Sequence, residues 1–303
     1  MPRYILAADL GGTKIAVARV TSTGRVEGVR TEPTPTMGGR AVAELLTRML
    51  GELPRKGAVG ISVSVPGLAY PDGRVWAPNI PGWKRWPLRA QIESRLKLPT
   101  LVESDRNAFV VGEAWRGAAK NLKDAIFLIV GTGIGAGILS GGQLVRGHAE
   151  LAGAVGWMAV RDEYLPEYKN VGCLEAHLAG PAVERRGMRL FRRGLTAREI
   201  TAMARHGDRL AIELLDNTGY YLGLALANLV SMLNPKVIVL GGGLSGAGEL
   251  LLARARAVMK QWGQPLAVRQ VRVVRSRLGN RAGLLGAAKM AFDVICAGKR
   301  TAR

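Results

Sequence analysis

The sequence predicts an α/β protein built from two copies of one folding unit. Three observations carry this: a strand–turn–strand pattern occurs twice, each copy turns on glycine and threonine, and helical periodicity follows each copy. The first copy runs Ile5-Leu6-Ala7-Ala8-Asp9-Leu10, then Gly11-Gly12-Thr13-Lys14, the apolar strand Ile15 to Val20, a Ser22-Thr23-Gly24 turn and more strand. The second runs Ile126 to Val130, then Gly131-Thr132-Gly133-Ile134-Gly135, Ala136 to Leu139, a Ser140-Gly141-Gly142 turn and Gln143 to Val145. Alternating apolar residues bounded by such turns read as strands.

Helices dominate the later chain. Thr196-Ala197-Arg198-Glu199 is a capping-box pattern that opens a helix. From Asp208 apolar residues recur at helical spacing through Leu233, and Asn234-Pro235 stops that run. Val237 to Leu240 then reads as a buried strand entering Gly241-Gly242-Gly243, and Gly283 to Cys296 as an Ala-rich helix. Without a low-complexity linker, the expected division is a small lobe over 1–108, completed by a C-terminal helix at 288–303, and a larger lobe over 109–287.

Composition excludes several classes. At 303 residues, 48% hydrophobic and 22% charged, the chain is an ordinary globular protein in composition. Its apolar runs are too short to span a bilayer, and Met1-Pro2-Arg3-Tyr4-Ile5 enters a strand at once without a leader pattern. A cytoplasmic protein without membrane association is expected. Two cysteines, Cys173 and Cys296, fit a reducing compartment. The net charge of +20 admits nucleic-acid binding. No zinc finger, RRM signature or basic zipper accompanies it, so attraction of anionic nucleotides is the better reading.

The glycine-rich turns carry the chemistry. No Gly-x-x-x-x-Gly-Lys-Ser/Thr occurs, which excludes a Walker A loop. Gly241-Gly242-Gly243-Leu244-Ser245-Gly246 satisfies G-x-G-x-x-G, but a dinucleotide site also wants an acid about 20 residues on. After Glu249 none follows until Asp293. In the first two turns a strand, rather than a helix, follows the glycines. Asp9-Leu10-Gly11-Gly12-Thr13-Lys14 instead forms a hairpin turn bearing an acid, a hydroxyl and a cation. Asp9 suits Mg²⁺ held through water, because Mg²⁺ keeps most of its hydration shell. Thr13 and Lys14 suit transferring phosphate oxygens, Gly131 to Gly135 the remaining phosphates, and the uncharged third loop a base and ribose. The bland alternative is three tight turns at strand ends.

These motifs together resemble the ROK family of bacterial sugar kinases and repressors, whose kinases include glucokinases and fructokinases. Asp9 to Lys14 matches the family's first phosphate loop, Gly131 to Gly137 the second (with Thr132 inside it), and Gly241 to Gly243 the adenosine loop. Val65-Pro66-Gly67, Asp72-Gly73 and Ala77-Pro78-Asn79-Ile80-Pro81-Gly82-Trp83 match the segment leading to the sugar. Leu98 to Asn107 matches the stretch holding the catalytic aspartate, and Gly172-Cys173-Leu174-Glu175 the end of the metal segment. The resemblance implies two actin-like (ribonuclease H-like) lobes with a cleft between them, ATP and Mg²⁺ as cofactors, and a homodimer. Repressor members carry an N-terminal helix-turn-helix, whereas here the phosphate loop begins at Asp9, which favours a kinase. Asp105 would be the general base, drawing the proton from the attacking hydroxyl. Its bland reading is a helix-start acid. Gly67, Asn79, Ser104, Trp157 and Glu175 would line the substrate.

Departures bear on specificity. Where many members read Ala-Gly-Glu-x-Gly-His, this chain has Ala152-Gly153-Ala154-Val155-Gly156-Trp157. The missing Glu and His normally contact sugar hydroxyls. Asn before the catalytic Asp is Ser104. The family's zinc ligands fall at Trp157, Pro166, Tyr168 and Cys173, one of four, so no structural zinc is expected. His148, His177 and His206 are expected to face solvent or pack on helices rather than build a replacement site. Three readings remain: an ATP-dependent sugar kinase with an altered acceptor pocket, a kinase of a modified sugar, nucleoside or cyclitol, and a non-catalytic sensor on the kinase fold.

Overall fold

In a computed structural model that describes residues 3–297, the first strand unit is β1 (Tyr4–Leu10), β2 (Lys14–Thr21) and β3 (Val26–Pro33). Then come α1 (Gly39–Gly51), β4 (Ala58–Val65), a small hairpin of β5 (Leu68–Ala69) and β6 (Val75–Trp76), α2 (Leu88–Leu96), β7 (Thr100–Ser104) and α3 (Asp105–Arg116). The second set is β8 (Ala125–Val130), β9 (Ile134–Ser140) and β10 (Gln143–Leu144). Helices α4 (Tyr168–Val171), α5 (Cys173–Leu178), α6 (Gly180–Phe191), α7 (Ala197–Arg205) and α8 (Arg209–Leu233) follow. The chain ends with β11 (Val237–Gly241), α9 (Glu249–Trp262), α10 (Pro265–Gln270), β12 (Arg272–Arg275) and α11 (Arg281–Ala297).

The duplication is visible in the sheets. One is ordered β3-β2-β1-β4-β7 and the other β10-β9-β8-β11-β12. In each, an antiparallel meander supplies three strands, and two more join in parallel beside the meander's first strand. Parallel neighbours need crossovers, and here helices provide them. The architecture is α/β with the two repeated actin-like units that the sequence predicts.

Two groups of residues form separate contact units: 1–121 with 146–151 and 277–303, and 122–145 with 152–276. In the first, alternation on β1 sends Leu6, Ala8 and Leu10 to one core with α1 and α2. Ile5 and Ala7 go to another core under α11. α11 lies close on α3: a Cβ on Gly286 would overlap the Ala108 carbonyl, and one on Gly112 that of Ala282. The Ala and Gly content of α11 is therefore a packing requirement as well as a helix preference. In the second unit, α8 buries Leu215, Leu222, Leu226 and Leu229, a 25-residue helix capped by the Asp208 carboxylate and ended by Asn234 in the left-handed region. Thr196 and Glu199 form the capping box at α7.

Two arginine-rich runs, Glu184 to Arg193 and Arg269 to Arg277, find structural places. The first lies largely in α6 and the second in the edge strand β12, where charge discourages pairing with another sheet edge. No helix among the described residues is long and apolar enough to cross a membrane.

Candidate active site

In the first unit, two aspartates stand at the C-terminal ends of strands. Asp9 is the penultimate residue of β1, opposite Ser64 of β4 in the parallel register. Asp105 follows β7 and opens α3. Between β1 and β2, Gly11 N–H donates to the Lys14 carbonyl at 2.9 Å, closing the hairpin, and the Thr34 hydroxyl ties down the Gly11 carbonyl at 2.8 Å. Gly12, Thr13 and Lys14 are left exposed at its tip.

The two acids lie deep among protein atoms while keeping partial access to solvent. Burial pushes Asp9 up to about 6, offset in part by the nearby Ser64 hydroxyl and the Lys14 charge. Asp105 is raised to about 7, first by burial and then by the negative charge of Asp9, against the Arg106 N–H and guanidinium. Carboxylates with such neighbours are poised to take a proton near neutral pH. The Asp105 carboxylate accepts from Arg106 N–H at 2.7 Å.

The sugar-segment residues sit in the same unit. Ser104 Oγ donates to the Gly67 carbonyl at 2.7 Å, so the turn before Asp105 is tied to the end of β4. Gly67 adopts φ +133, and a Cβ there would overlap the Trp76 carbonyl, which explains the glycine. Asn79 is exposed on a loop pinned by buried Ile80 and Trp83; the Trp83 indole donates to the Gly39 carbonyl at 3.0 Å.

The second unit gathers the other two loops. Gly131 N–H donates to the Gly133 carbonyl at 3.1 Å, and Gly180 N–H, at the start of α6, donates to the Gly131 carbonyl at 2.8 Å. A Cβ on Gly131 would stand 3.9 Å from Gly243 N, and one on Gly242 would overlap the Val130 carbonyl, so Gly131–Gly135 and Gly241–Gly243 adjoin. Thr132 lies within the first of these loops. Glu175 Oε2 accepts from Ile134 N–H at 2.7 Å. Burial raises its pKa, and that hydrogen bond partly offsets the rise. A Cβ on Gly156 would come within 3.0 Å of the same carboxylate, which places the turn bearing Trp157 beside Glu175. Trp157 itself is 58% exposed. It lines a cavity of about 540 Å³ with Ala159, Arg161, Asp162, Glu163, Tyr164, Tyr168, Lys169 and Cys173.

Tyr168 and Cys173, two of the positions matched to the family's zinc ligands, make other contacts. Tyr168 is buried, and its hydroxyl shares a 2.7 Å hydrogen bond with His177 Nε2; the His177 ring stacks on Tyr221 at 4.3 Å. Cys173 Sγ accepts from Val160 N–H at 3.5 Å. His148 is exposed, and His206 is exposed with Nδ1 2.8 Å from the Ala202 carbonyl at the end of α7. Among the described residues no three of His, Cys, Asp and Glu converge as a metal site.

Sequence reasoning missed residues that hold this site. Glu103 is 3% exposed and ion-paired to Arg146 at 2.6 Å, and a Cβ on Gly283 of α11 would press to 2.5 Å of the Asp9 carboxylate. Only the Arg146–Glu150 pair, four residues apart, had a local signature.

Known proteins resemble the chain over nearly its whole length. The ROK family profile matches residues 5–294. A glucokinase of Halalkalibacterium halodurans is 31% identical, covering 94% of this chain and 93% of that protein. An N-acetyl-D-glucosamine kinase of Salmonella paratyphi C is 30% identical, covering 92% and 96%. Among solved structures, a ROK hexokinase from Thermus thermophilus superposes with a TM-score of 0.83 at 34% identity, covering 97% and 100%. A ROK family glucokinase from Streptomyces griseus, in complex with glucose and AMPPNP, gives 0.81 at 29%, covering 96% and 99%. With its motifs, its duplicated sheets and nearly its whole length in register with these proteins, the chain belongs to the ROK family.

Proposed function

We propose that the protein is an ATP-dependent kinase that phosphorylates a hydroxyl of a sugar or sugar-like molecule. The observation that carries this is the pair Asp9 and Asp105, one beside a Gly-Thr-Lys hairpin and the other raised to about 7 by burial and by its neighbour. Glucokinase and N-acetylglucosamine kinase relatives support it. Asp105 accepts the proton of the acceptor hydroxyl as its oxygen bonds to the γ-phosphorus. The bond from that phosphorus to the β–γ bridging oxygen breaks, and ADP leaves. In the first unit Lys14 and Thr13 suit phosphate oxygens; in the second, the N–H groups of Gly131–Gly135 and Gly241–Gly243 suit the rest of a nucleotide.

The residues present fit Mg²⁺. A partly desolvated carboxylate, with a second one near it and one lysine, leaves an excess of negative charge that a hydrated cation would neutralise. Asp9 would hold it through water. When bound, Mg²⁺ withdraws charge from the phosphate oxygens.

A finer reading concerns the acceptor. Ala154 and Trp157 offer no carboxylate or imidazole to a sugar hydroxyl, while the exposed Trp157 face suits a flat or apolar substituent. Within the first unit, Asn79 and Asp105 suit the reacting end of an acceptor. By family analogy the working unit is a homodimer, which light scattering tests. ADP release measured over a panel of sugars, nucleosides and cyclitols tests the function. ATP turnover that depends on one acceptor class supports it; binding without turnover of any acceptor would establish the sensor instead.

A further inference from the structure

After β10 the chain leaves the second unit for six residues, and 146–151 group with the first. This strap is fastened around the residues that flank Asp105. Arg146 Nη2 donates to Glu103 Oε2 at 2.6 Å and Nη1 to Glu150 Oε2 at 3.0 Å. Arg106 Nη2 donates to the Glu150 backbone carbonyl at 2.5 Å. Glu103, buried at 3% exposure, uses its other oxygen to accept from Ser104 N–H at 2.9 Å and Asn107 Nδ2 at 3.0 Å. Ser104, Arg106 and Asn107 therefore all hang on one ring of contacts through Glu103, Arg146 and Glu150. Glu150 adopts φ +60, a conformation that side chains other than glycine rarely take, and its carbonyl is the one that receives Arg106.

We propose that Arg146 is a positioning residue for phosphoryl transfer: through Glu103 and Glu150 it fixes the turn that aims the Asp105 carboxylate. This rests on the reading of Asp105 as the base. Arg146 touches neither substrate nor reacting atoms in this scheme. Its work is to hold a buried carboxylate in place, and that carboxylate holds the start of α3. Without the guanidinium, Glu103 is a buried charge that has lost its cation. It swings toward water, and the Ser104 and Asn107 contacts loosen with it. A misaimed base is felt in the transition state rather than in ground-state binding, so the loss falls on kcat.

The experiment is steady-state kinetics and thermal melting of the full chain as wild type, R146M, R146K, the double variant E103Q/R146M, and D105N. R146M is expected to lower kcat by about 10- to 100-fold with KM for ATP and acceptor within about threefold. R146K recovers most of that loss, and the double variant is no worse than R146M, because removing the carboxylate's charge removes the need for its partner. Wild-type kcat in R146M overturns the proposal. So does a loss confined to KM, or a lysine variant that restores melting without restoring kcat. Should R146M not fold, E150Q reads the same ring from its other side, with a several-fold lower kcat expected and an unchanged one overturning it. D105N separates the two claims. If D105N is inactive and R146M is not impaired, positioning alone fails; if D105N turns over normally, both fail.

Discussion

Glu175 Oε2 accepts the backbone N–H of Ile134 at 2.7 Å. A residue matched to sugar binding is thus anchored on the loop matched to phosphate binding, inside one unit. The carboxylate that would meet an acceptor hydroxyl and the glycine turn that would meet nucleotide phosphates cannot shift independently of each other.

Asp105→Asn should remove most of kcat, about 10²–10⁴-fold, because a neutral amide cannot take the hydroxyl proton. Nucleotide affinity, read by titration calorimetry, should stay within about threefold. Turnover near wild type would sink the assignment.

The same substitution should stabilise the metal-free protein at high pH. Asp9 and Asp105 have folded-state values of about 6 and about 7 against an ordinary 3.8. Between these limits the folded chain holds protons that the unfolded chain has released. The contribution of the pair is therefore favourable below about pH 4 and is lost as pH rises through about 6 to 7. D105N removes the ionisable group that carries most of this loss. Its melting temperature should exceed that of wild type at pH 8 and match it near pH 4. A difference of equal size at both pH values would show that ionisation has no part in it.

Gly283→Ala should impair the Mg²⁺-dependent step. The new Cβ would lie 2.5 Å from the Asp9 carboxylate, so either the acid or α11 must move. Displacement of a metal-holding carboxylate by about 1 Å should cost roughly tenfold or more in activity. More Mg²⁺ should also be needed for half-maximal rate. An unchanged Mg²⁺ titration would mean that Asp9 serves only the fold.

Glucose should be a poor acceptor with a high KM. Hydrogen bonds to a charged group contribute about 1.5–3 kcal/mol each, and Ala154 offers none. Acceptors carrying a flat or apolar substituent should do better, and Trp157→Ala should lower their kcat/KM by about tenfold while barely changing that of glucose. A low micromolar KM for glucose, with the highest kcat/KM of any acceptor, would refute this.

Purified protein should contain no stoichiometric zinc, and a zinc chelator with excess Mg²⁺ should leave activity intact. A lone thiolate at Cys173, beside a tyrosine whose hydroxyl is bonded to His177, does not make a four-coordinate site. One zinc per chain by elemental analysis would contradict this.

Local chemistry was legible before the structure: the hairpin at Gly11–Lys14, the capping box at Thr196 and Glu199, and the stop at Asn234 all depend on residues within one turn of each other. The duplicated sheet was legible because its strands repeat in sequence. What stayed hidden depends on distance along the chain. Glu103 and Arg146 are 43 residues apart, and Gly283 reaches Asp9 only because α11 returns to the first sheet. Neither leaves a periodic trace. The Trp157 change was visible as a departure, but the cavity beside it, with Tyr164 and Lys169, required the folded backbone.

The return of α11 also sets the order in which the chain can mature. Residues 1–121 leave the ribosome well before 277–303, yet one face of their sheet (Ile5, Ala7, Ala18 and Val20) takes much of its cover from Leu284, Leu285, Ala288 and Ala291. The second unit, completed at Ser276, is synthesised in full while that face waits for α11. At about 5–20 residues per second the wait lasts roughly ten seconds or longer. A nascent chain with such an interval is a natural client for chaperones, and a stop codon ahead of α11 would leave the aspartate-bearing sheet without its lid for good.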